Sequence, residues 1–196
     1  MSNLLKNVIL YLNFIRCFPH LIIFHCHKNR LLFKADTRLW LQKFGINYGL
    51  STGFIYLLSF YREFRNLFYA RIGFSRYFLN LFCRKLPTLF IGTKDIGEGL
   101  FIQYGVSTAI GAKSIGKNCI ISQQVTIGEV VPGQNPTILD NVTIQPGAII
   151  IGKIKIGNNS IIGANSTVFY DVPDNCTVYP ASSRIMNINI SKSSGK

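Results

Sequence analysis

Every sixth position from residue 138 is a bulky aliphatic: Ile138, Ile144, Ile150, Ile156, Ile162 and Val168. A second register, Val142, Ala148, Ile154, Ser160, Ser166, Val172 and Val178, is mostly small or β-branched. Positions six apart lie about 600° round an α-helix, on nearly opposite faces, so no helix sustains this pattern. Short strands joined by tight corners do. One bulky side chain per strand points into a prism-shaped core, a small residue sits near the corner, and three hexapeptides make a coil. Gly and Asn fall where corners are expected, as in Gly157-Asn158-Asn159 and Gly163-Ala164-Asn165, where a left-handed backbone is least costly. The predicted fold is mainly β, a solenoid of parallel strands.

The period runs upstream in shifted phases. Ile96 and Ile102 share one register, and Ile115, Ile121 and Ile127 keep another, with Cys119 and Val125 at the small positions. Ile102 to Ile115 is one residue more than two repeats, and Ile127 to Ile138 is one repeat plus five. Glu129 to Pro136 therefore reads as a loop ejected from the coil, the kind of segment that tends to carry function.

Before residue 90 the period is absent and the composition changes. Residues 1–90 hold 20 of the 25 aromatics and 13 Lys+Arg against 2 acidic residues, net +11; residues 91–196 hold 13 of the 17 glycines and are net +2. The expected organisation is a basic, aromatic-rich helical leader or cap over 1–90, a solenoid over 91–186 and a polar tail over 187–196. Arg62, Arg65, Arg71 and Arg76 with Leu67, Phe68, Ile72 and Tyr77 read as an amphipathic helical stretch, suited to covering the solenoid's first coil or to meeting anionic lipid. The uncharged run from Phe44 to Tyr61 has the length of a marginal membrane span, but its Asn, Ser, Thr and three glycines argue against a spanning helix.

The solenoid segments Leu139-Asp-Asn-Val-Thr-Ile144, Pro146-Gly-Ala148, Ile154-Lys-Ile-Gly-Asn158, Ile161-Ile-Gly-Ala-Asn-Ser166 and Asp171-Val-Pro-Asp-Asn-Cys-Thr-Val178 resemble the serine acetyltransferase branch of hexapeptide-repeat acyltransferases. Gly99-Leu-Phe-Ile-Gln103, Ile115-Gly-Lys-Asn-Cys119 and Gln124-Val-Thr-Ile-Gly128 extend the resemblance to about residues 91–186. It implies a left-handed parallel β-helix, a homotrimer, and acetyl-CoA bound as cosubstrate in grooves between coils. Phe60 to Gly73 looks like the short basic leader of relatives from capsular-polysaccharide clusters. The chain's final residues, Ser193-Ser-Gly-Lys196, differ from the Ile that docks the cysteine-pathway enzyme on its partner synthase, so that partnership is not expected.

Acetyl transfer needs a hydroxyl nucleophile, a base for its proton and donors for the developing oxyanion. The family's two histidines align with Tyr104 and Asn135, and the chain's only histidines are His20, His25 and His27. Asparagine cannot act as a base. An ordinary tyrosine, titrating near ~10, is a poor one beside imidazole near ~6.5. By family position Gly147, Ala148, Gly163, Ala164, Ser166 and Arg184 would line the cofactor groove or meet its phosphates. Pro146 stands where an N–H normally faces the cofactor, Glu129 replaces the second Gly of a Gly-Gly pair, and Tyr170 replaces a basic residue. Two functions are compatible with this set. One is an acetyl-CoA-dependent O-acetyltransferase acting on a sugar hydroxyl or serine; the other is a catalytically impaired trimeric scaffold or binding homologue.

Five scattered cysteines without a CxxC pair fit a reducing, cytoplasmic setting better than a disulfide framework. The apolar stretch Val8 to Ile15 lacks a small-residue cleavage site after it, so secretion is not expected. His25-Cys26-His27, with Cys17 and His20 nearby, lacks the constellation of a zinc site, and no metal is expected. No nucleic-acid motif accompanies the basic charge, which leaves peripheral membrane contact through residues 1–90 as the alternative to docking on the solenoid.

Overall fold

The computed structural model describes residues 11–181; Arg184 and the tail over 187–196 lie outside them. Residues 11–16 are helical, and five further helices follow among the described residues: α1 (Phe18–Cys26), α2 (Arg30–Lys43), α3 (Leu50–Phe60), α4 (Arg62–Ile72) and α5 (Arg76–Phe82), with a 3-10 turn over Gly73–Ser75 before the last. Fourteen short strands follow: β1 (Leu89–Ile91), β2 (Asp95–Ile96), β3 (Phe101–Ile102), β4 (Thr108–Ile110), β5 (Ser114–Ile115), β6 (Ile120–Ile121), β7 (Thr126–Gly128), β8 (Thr137–Ile138), β9 (Thr143–Ile144), β10 (Ile149–Ile151), β11 (Lys155–Ile156), β12 (Ile161–Ile162), β13 (Thr167–Val168) and β14 (Thr177–Val178). They stack as three parallel sheets: β1-β4-β7-β10-β13 (sheet A), β2-β5-β8-β11 (sheet B) and β3-β6-β9-β12-β14 (sheet C). Each of the first four coils contributes a strand to every face of a triangular prism, and the fifth adds strands to sheets A and C and a single bridge, Val172 to Ile156, to sheet B, giving about five turns of left-handed β-helix.

The hexapeptide registers are the core. Ile96, Ile102, Ile115, Ile121, Ile127, Ile138, Ile144, Ile150, Ile156, Ile162 and Val168 are all buried, stacked coil upon coil by register pairs such as Ile115 with Ile138 and Ile121 with Ile144. The corner between sheets B and C needs a positive φ in each coil. Gly99, Asn118, Asn141, Asn159 and Asn175 supply it. The four asparagines also form a ladder, Asn118 Nδ2 to Asn141 Oδ1 at 3.4 Å, Asn141 Nδ2 to Asn159 Oδ1 at 3.0 Å and Asn159 Nδ2 to Asn175 Oδ1 at 3.0 Å. Asn141→Ala should therefore cost about 2 kcal/mol, the left-handed penalty of roughly 1–2 plus lost amide bonds. Asn141→Gly should cost less than half of that, because glycine keeps the φ; urea denaturation of the two variants checks the order.

The Phe44 to Tyr61 run contains a turn and α3, whose 11 residues span about 16 Å against the ~30 Å of a bilayer core. Phe54, Ile55, Leu57 and Leu58 are fully buried. Among the described residues no helix is long and apolar enough to cross a membrane.

The amphipathic reading of residues 62–77 needs correction. The stretch is two helices, and α4 is the centre of the helical layer, with Arg65 and Arg71 buried. Arg65 donates to the carbonyls of Leu58, Ser59 and Arg84. Arg71 Nε lies 2.7 Å from Asp36 Oδ2, and its other nitrogens donate to Asp36 Oδ1 at 3.1 Å and to Ile96 O and Gly97 O at 2.6 Å. Asp36 also accepts from Gly99 N–H at 2.8 Å. Burial pushes the Asp36 carboxyl up to about 6 against the pull of Arg71 and Gly99, which leaves it ionised and paired at neutral pH. Trp40 donates to Leu100 O at 2.9 Å and packs on Phe101 at 4.8 Å between ring centroids. Asn66 donates to Leu86 O and Leu89 O. Asn66 and Arg71 of α4 thus satisfy carbonyls at the start of the solenoid that no preceding strand covers, while Arg65 serves carbonyls of the helical layer itself.

Candidate active site

The C-to-A edge of the prism carries most of the residues singled out from the sequence. Paired positions along sheets C and A show that Phe101 to Ala109 takes eight residues, whereas Ile120 to Thr126, Thr143 to Ile149 and Ile161 to Thr167 take six. These two extra residues, less the one missing between Ile110 and Ile115, give the one-residue phase shift after Ile102, and they push Tyr104 out of the coil. Its φ is 54° and its side chain is 68% exposed, an uncommon conformation for a tyrosine that the fold maintains at some cost.

Tyr104 stands at the mouth of a cavity of about 450 Å³ between the first coil and the helices. Its walls are aromatic, from Trp40, Phe44, Phe60, Tyr61 and Phe101, and its polar groups are Lys43, Glu63 and Gln103. Phe44 and Tyr61 stack at 4.2 Å between centroids. Burial, with the Tyr56 and Glu63 charges behind it, holds the Tyr61 phenol above its ordinary value, so it serves as a donor. Glu63 reaches this corner because α4 starts there: a Cβ on Gly105 would lie 3.2 Å from Glu63 Cγ. Sequence reasoning missed Glu63 and Lys43 because nothing in a helical leader's pattern announces which of its charges will face the first corner of a solenoid.

Asn135 is elsewhere. It closes the ejected loop at the opposite margin of sheet A, where its Nδ2 donates to Gly111 O at 2.7 Å. It lines a shallow groove of about 390 Å³ with Phe90, Ala109, Ala112 and Glu129, among others. Glu129, placed by the resemblance beside the thioester, accepts from Gly133 N–H at 2.5 Å and so closes its own loop. Within one chain, Tyr104 and Asn135 do not share a pocket.

Gly147 and Ala148, and Gly163, Ala164 and Ser166, occupy the third- and fourth-coil corners of the Tyr104 edge. Ala148 and Ser166 are buried, and Ser166 Oγ has no partner among the described residues; their side chains belong to the core, so only backbone could meet a pantetheine there. Gly147 has φ 73°, and a Cβ on it would run into the Asn165 side chain. A Cβ on Gly163 would lie 2.7 Å from Val178 O. Both glycines are required by the stacking of the next coil. Ala164 N–H already donates to Gln145 Oε1 at 3.2 Å. The three histidines are all in the helical layer: His25 bonds Ser51 Oγ at 3.1 Å, and His27 Nδ1 accepts from Asn29 N–H at 3.0 Å. His20 is buried with Cys17 and, unforeseen from sequence, with Cys83.

Residues 135–169 match the bacterial transferase hexapeptide (six repeats) family. The chain is 40% identical over 95 residues to serine acetyltransferase from Synechococcus elongatus, covering 46% of this chain and 39% of that one. It is 35% identical over 128 residues to serine acetyltransferase from Bacillus pumilus, covering 61% and 58%. The chain thus spans about two to three fifths of these relatives' length. Among solved structures, serine acetyltransferase of Neisseria gonorrhoeae in complex with serine superposes with a TM-score of 0.61 at 25% identity, covering 80% of this chain and 68% of that one. Serine acetyltransferase isoform 3 of Entamoeba histolytica in complex with cysteine gives 0.58 at 29%, covering 82% and 62%.

Proposed function

We propose that this chain, a hexapeptide-repeat protein similar to serine acetyltransferases, transfers acetyl from acetyl-CoA to a hydroxyl of a sugar. The observation that carries the reading is the Tyr104 cavity, on the same prism edge as the small-residue corners. Aromatic walls with a few convergent polar groups suit a sugar ring, whose apolar faces lie on aromatics while its hydroxyls seek Lys43, Glu63 and Gln103. Serine, small and charged, would leave most of such a volume unfilled. In this site Glu63 takes the proton of the attacking hydroxyl, Tyr104 and Tyr61 orient the acceptor, and the thioester sulfur leaves as thiolate. The second margin, with Asn135, belongs to a neighbouring copy, and a homotrimer brings the two margins together. A thiol-release assay with acetyl-CoA against a sugar panel and serine tests this. Turnover is expected with a sugar and at least about 10-fold less with serine; release with neither, and no heat of acetyl-CoA binding, overturns it.

One observation favours the impaired homologue as the second reading: no imidazole stands anywhere in the solenoid sequence. Acetyl-CoA binding without transfer would establish it.

Peripheral contact with an anionic bilayer is part of the same proposal, but it moves from α4 to its neighbours. Phe74, Tyr77, Phe78 and Leu81 are 86%, 61%, 59% and 76% exposed, beside exposed Arg76, Arg84 and Lys85. The exposed Tyr11, Leu12, Ile15 and Phe18 approach the same end, since Cys17 meets Cys83. Apolar rings rimmed by cations match an acidic lipid surface. The protein should co-float with phosphatidylglycerol-containing vesicles, less at high salt, and Phe78→Asp with Leu81→Asp should abolish flotation; equal flotation with purely zwitterionic vesicles would sink the idea.

A further inference from the structure

Away from the candidate active site, Cys17, His20 and Cys83 converge in the interior of the helical layer. Cys17 is the N-cap of α1 and His20 lies in that helix's first turn, a Cys-x-x-His spacing, while Cys83 is the C-cap of α5. The two sulfurs are 3.4 Å apart, and one donor atom from each of the three residues lies within 4.8 Å of the others. All three side chains are at most 1% exposed.

The hydrogen bonding around His20 fixes its tautomer. Tyr69 Oη contacts Cys83 O at 2.6 Å, Leu79 O at 3.1 Å and His20 Nε2 at 2.8 Å. Carbonyl oxygens only accept, so the single phenolic hydrogen goes to one of them and the phenol oxygen accepts from Nε2–H. Nδ1 then carries the bare lone pair, and it has no hydrogen-bond partner although the residue is fully buried. A buried ring nitrogen left unpaired is destabilising unless something occupies it.

We propose that Cys17, His20 and Cys83 bind a zinc ion. Donors of a tetrahedral zinc site, at ~2.3 Å for sulfur and ~2.0 Å for nitrogen, stand about 3.5–3.8 Å from one another. The observed sulfur spacing is within a few tenths of an ångström of that range, and the nitrogen closes by a side-chain adjustment. Two thiolates balance the charge of the dication, their two protons passing to solvent on binding. The soft sulfur and imidazole set selects zinc over magnesium or calcium. Three protein donors leave the fourth position for water or a small thiol. Tyr69 holds the imidazole through Nε2, which leaves Nδ1 for the metal, the outer-shell contact that metal-ligating histidines ordinarily make. The ion would tie α1 to α5, two helices far apart in sequence.

The test uses the full chain, stripped with chelator under reductant and then titrated with zinc or, for its colour, with cobalt(II). One metal per chain is expected by elemental analysis, with a cobalt–thiolate charge-transfer band. Cys83→Ser and His20→Gln should abolish the band, and the exposed Cys26→Ser should leave stoichiometry and band unchanged. If the first two fail to fold by circular dichroism, Tyr69→Phe decides: weakening of about 10–100-fold is expected, and an unchanged affinity would overturn the proposal. Substoichiometric metal, a missing thiolate band, or a Cys17–Cys83 disulfide under reductant would also overturn it.

Discussion

Tyr104→His combined with Asn135→His should raise the rate of acetyl transfer by about 10-fold or more, because imidazole, titrating near neutral pH, is a better-matched general base than the Glu63 carboxylate. The gain is expected chiefly in kcat. Tyr104 already sits at the corner where the two-residue insertion presents a side chain to the cavity, so imidazole there meets the acceptor hydroxyl without new backbone. The second substitution matters because Asn135 is at present held by the Gly111 carbonyl. A histidine can keep that contact through one ring nitrogen and face a neighbouring copy with the other. If Glu63 is the base in the native protein, Glu63→Gln should lower native turnover at least about 10-fold and affect the double variant far less, because imidazole then does the work. Thiol release under saturating sugar measures all three. No gain in the double variant, with cofactor binding intact, would mean that the missing imidazoles are not what limits transfer.

Arg71→Met should destabilise the protein by about 3–5 kcal/mol, the cost typical of removing one partner of a buried ion pair. The guanidinium meets a carboxylate from α2 and two carbonyls of the first coil at once. Methionine leaves the buried Asp36 carboxyl without its cation, and leaves Ile96 O and Gly97 O without donors. Arg71→Lys should recover little, since a single ammonium cannot reproduce the fork that spans Asp36 and both carbonyls. Urea denaturation followed by circular dichroism gives the number; a loss under about 1 kcal/mol would show that water fills the site.

The solenoid was legible residue by residue because each hexapeptide repeats the same local bargain: an aliphatic inward, a small residue beside it, and Asn or Gly where φ must be positive. Even the displaced loop followed from counting. The helical layer was legible only as a composition. Arginines three to six residues apart look amphipathic in one dimension, and the pattern carries no sign that Arg65 and Arg71 turn inward to backbone carbonyls of other segments. The site divides the same way. Tyr104 was found because it breaks a known motif at a defined corner. Glu63 and Lys43 were not, and neither was the approach of Cys83 to Cys17, because contacts across 66 residues of non-repeating sequence leave no periodic trace. Ala148 and Ser166 were read as groove residues by family position, yet the inward register to which both belong already placed their side chains in the core.

The chain has a single tryptophan, and the fold places it at the seam, with its indole N–H on Leu100 O and its ring against Phe101. Its fluorescence is therefore a built-in gauge of that seam alone. While the helices stay seated, emission should be blue and resistant to aqueous quenchers. If they lift away before the coils unwind, the colour should change first, and the protein would announce from one natural fluorophore whether its two halves melt together or in turn.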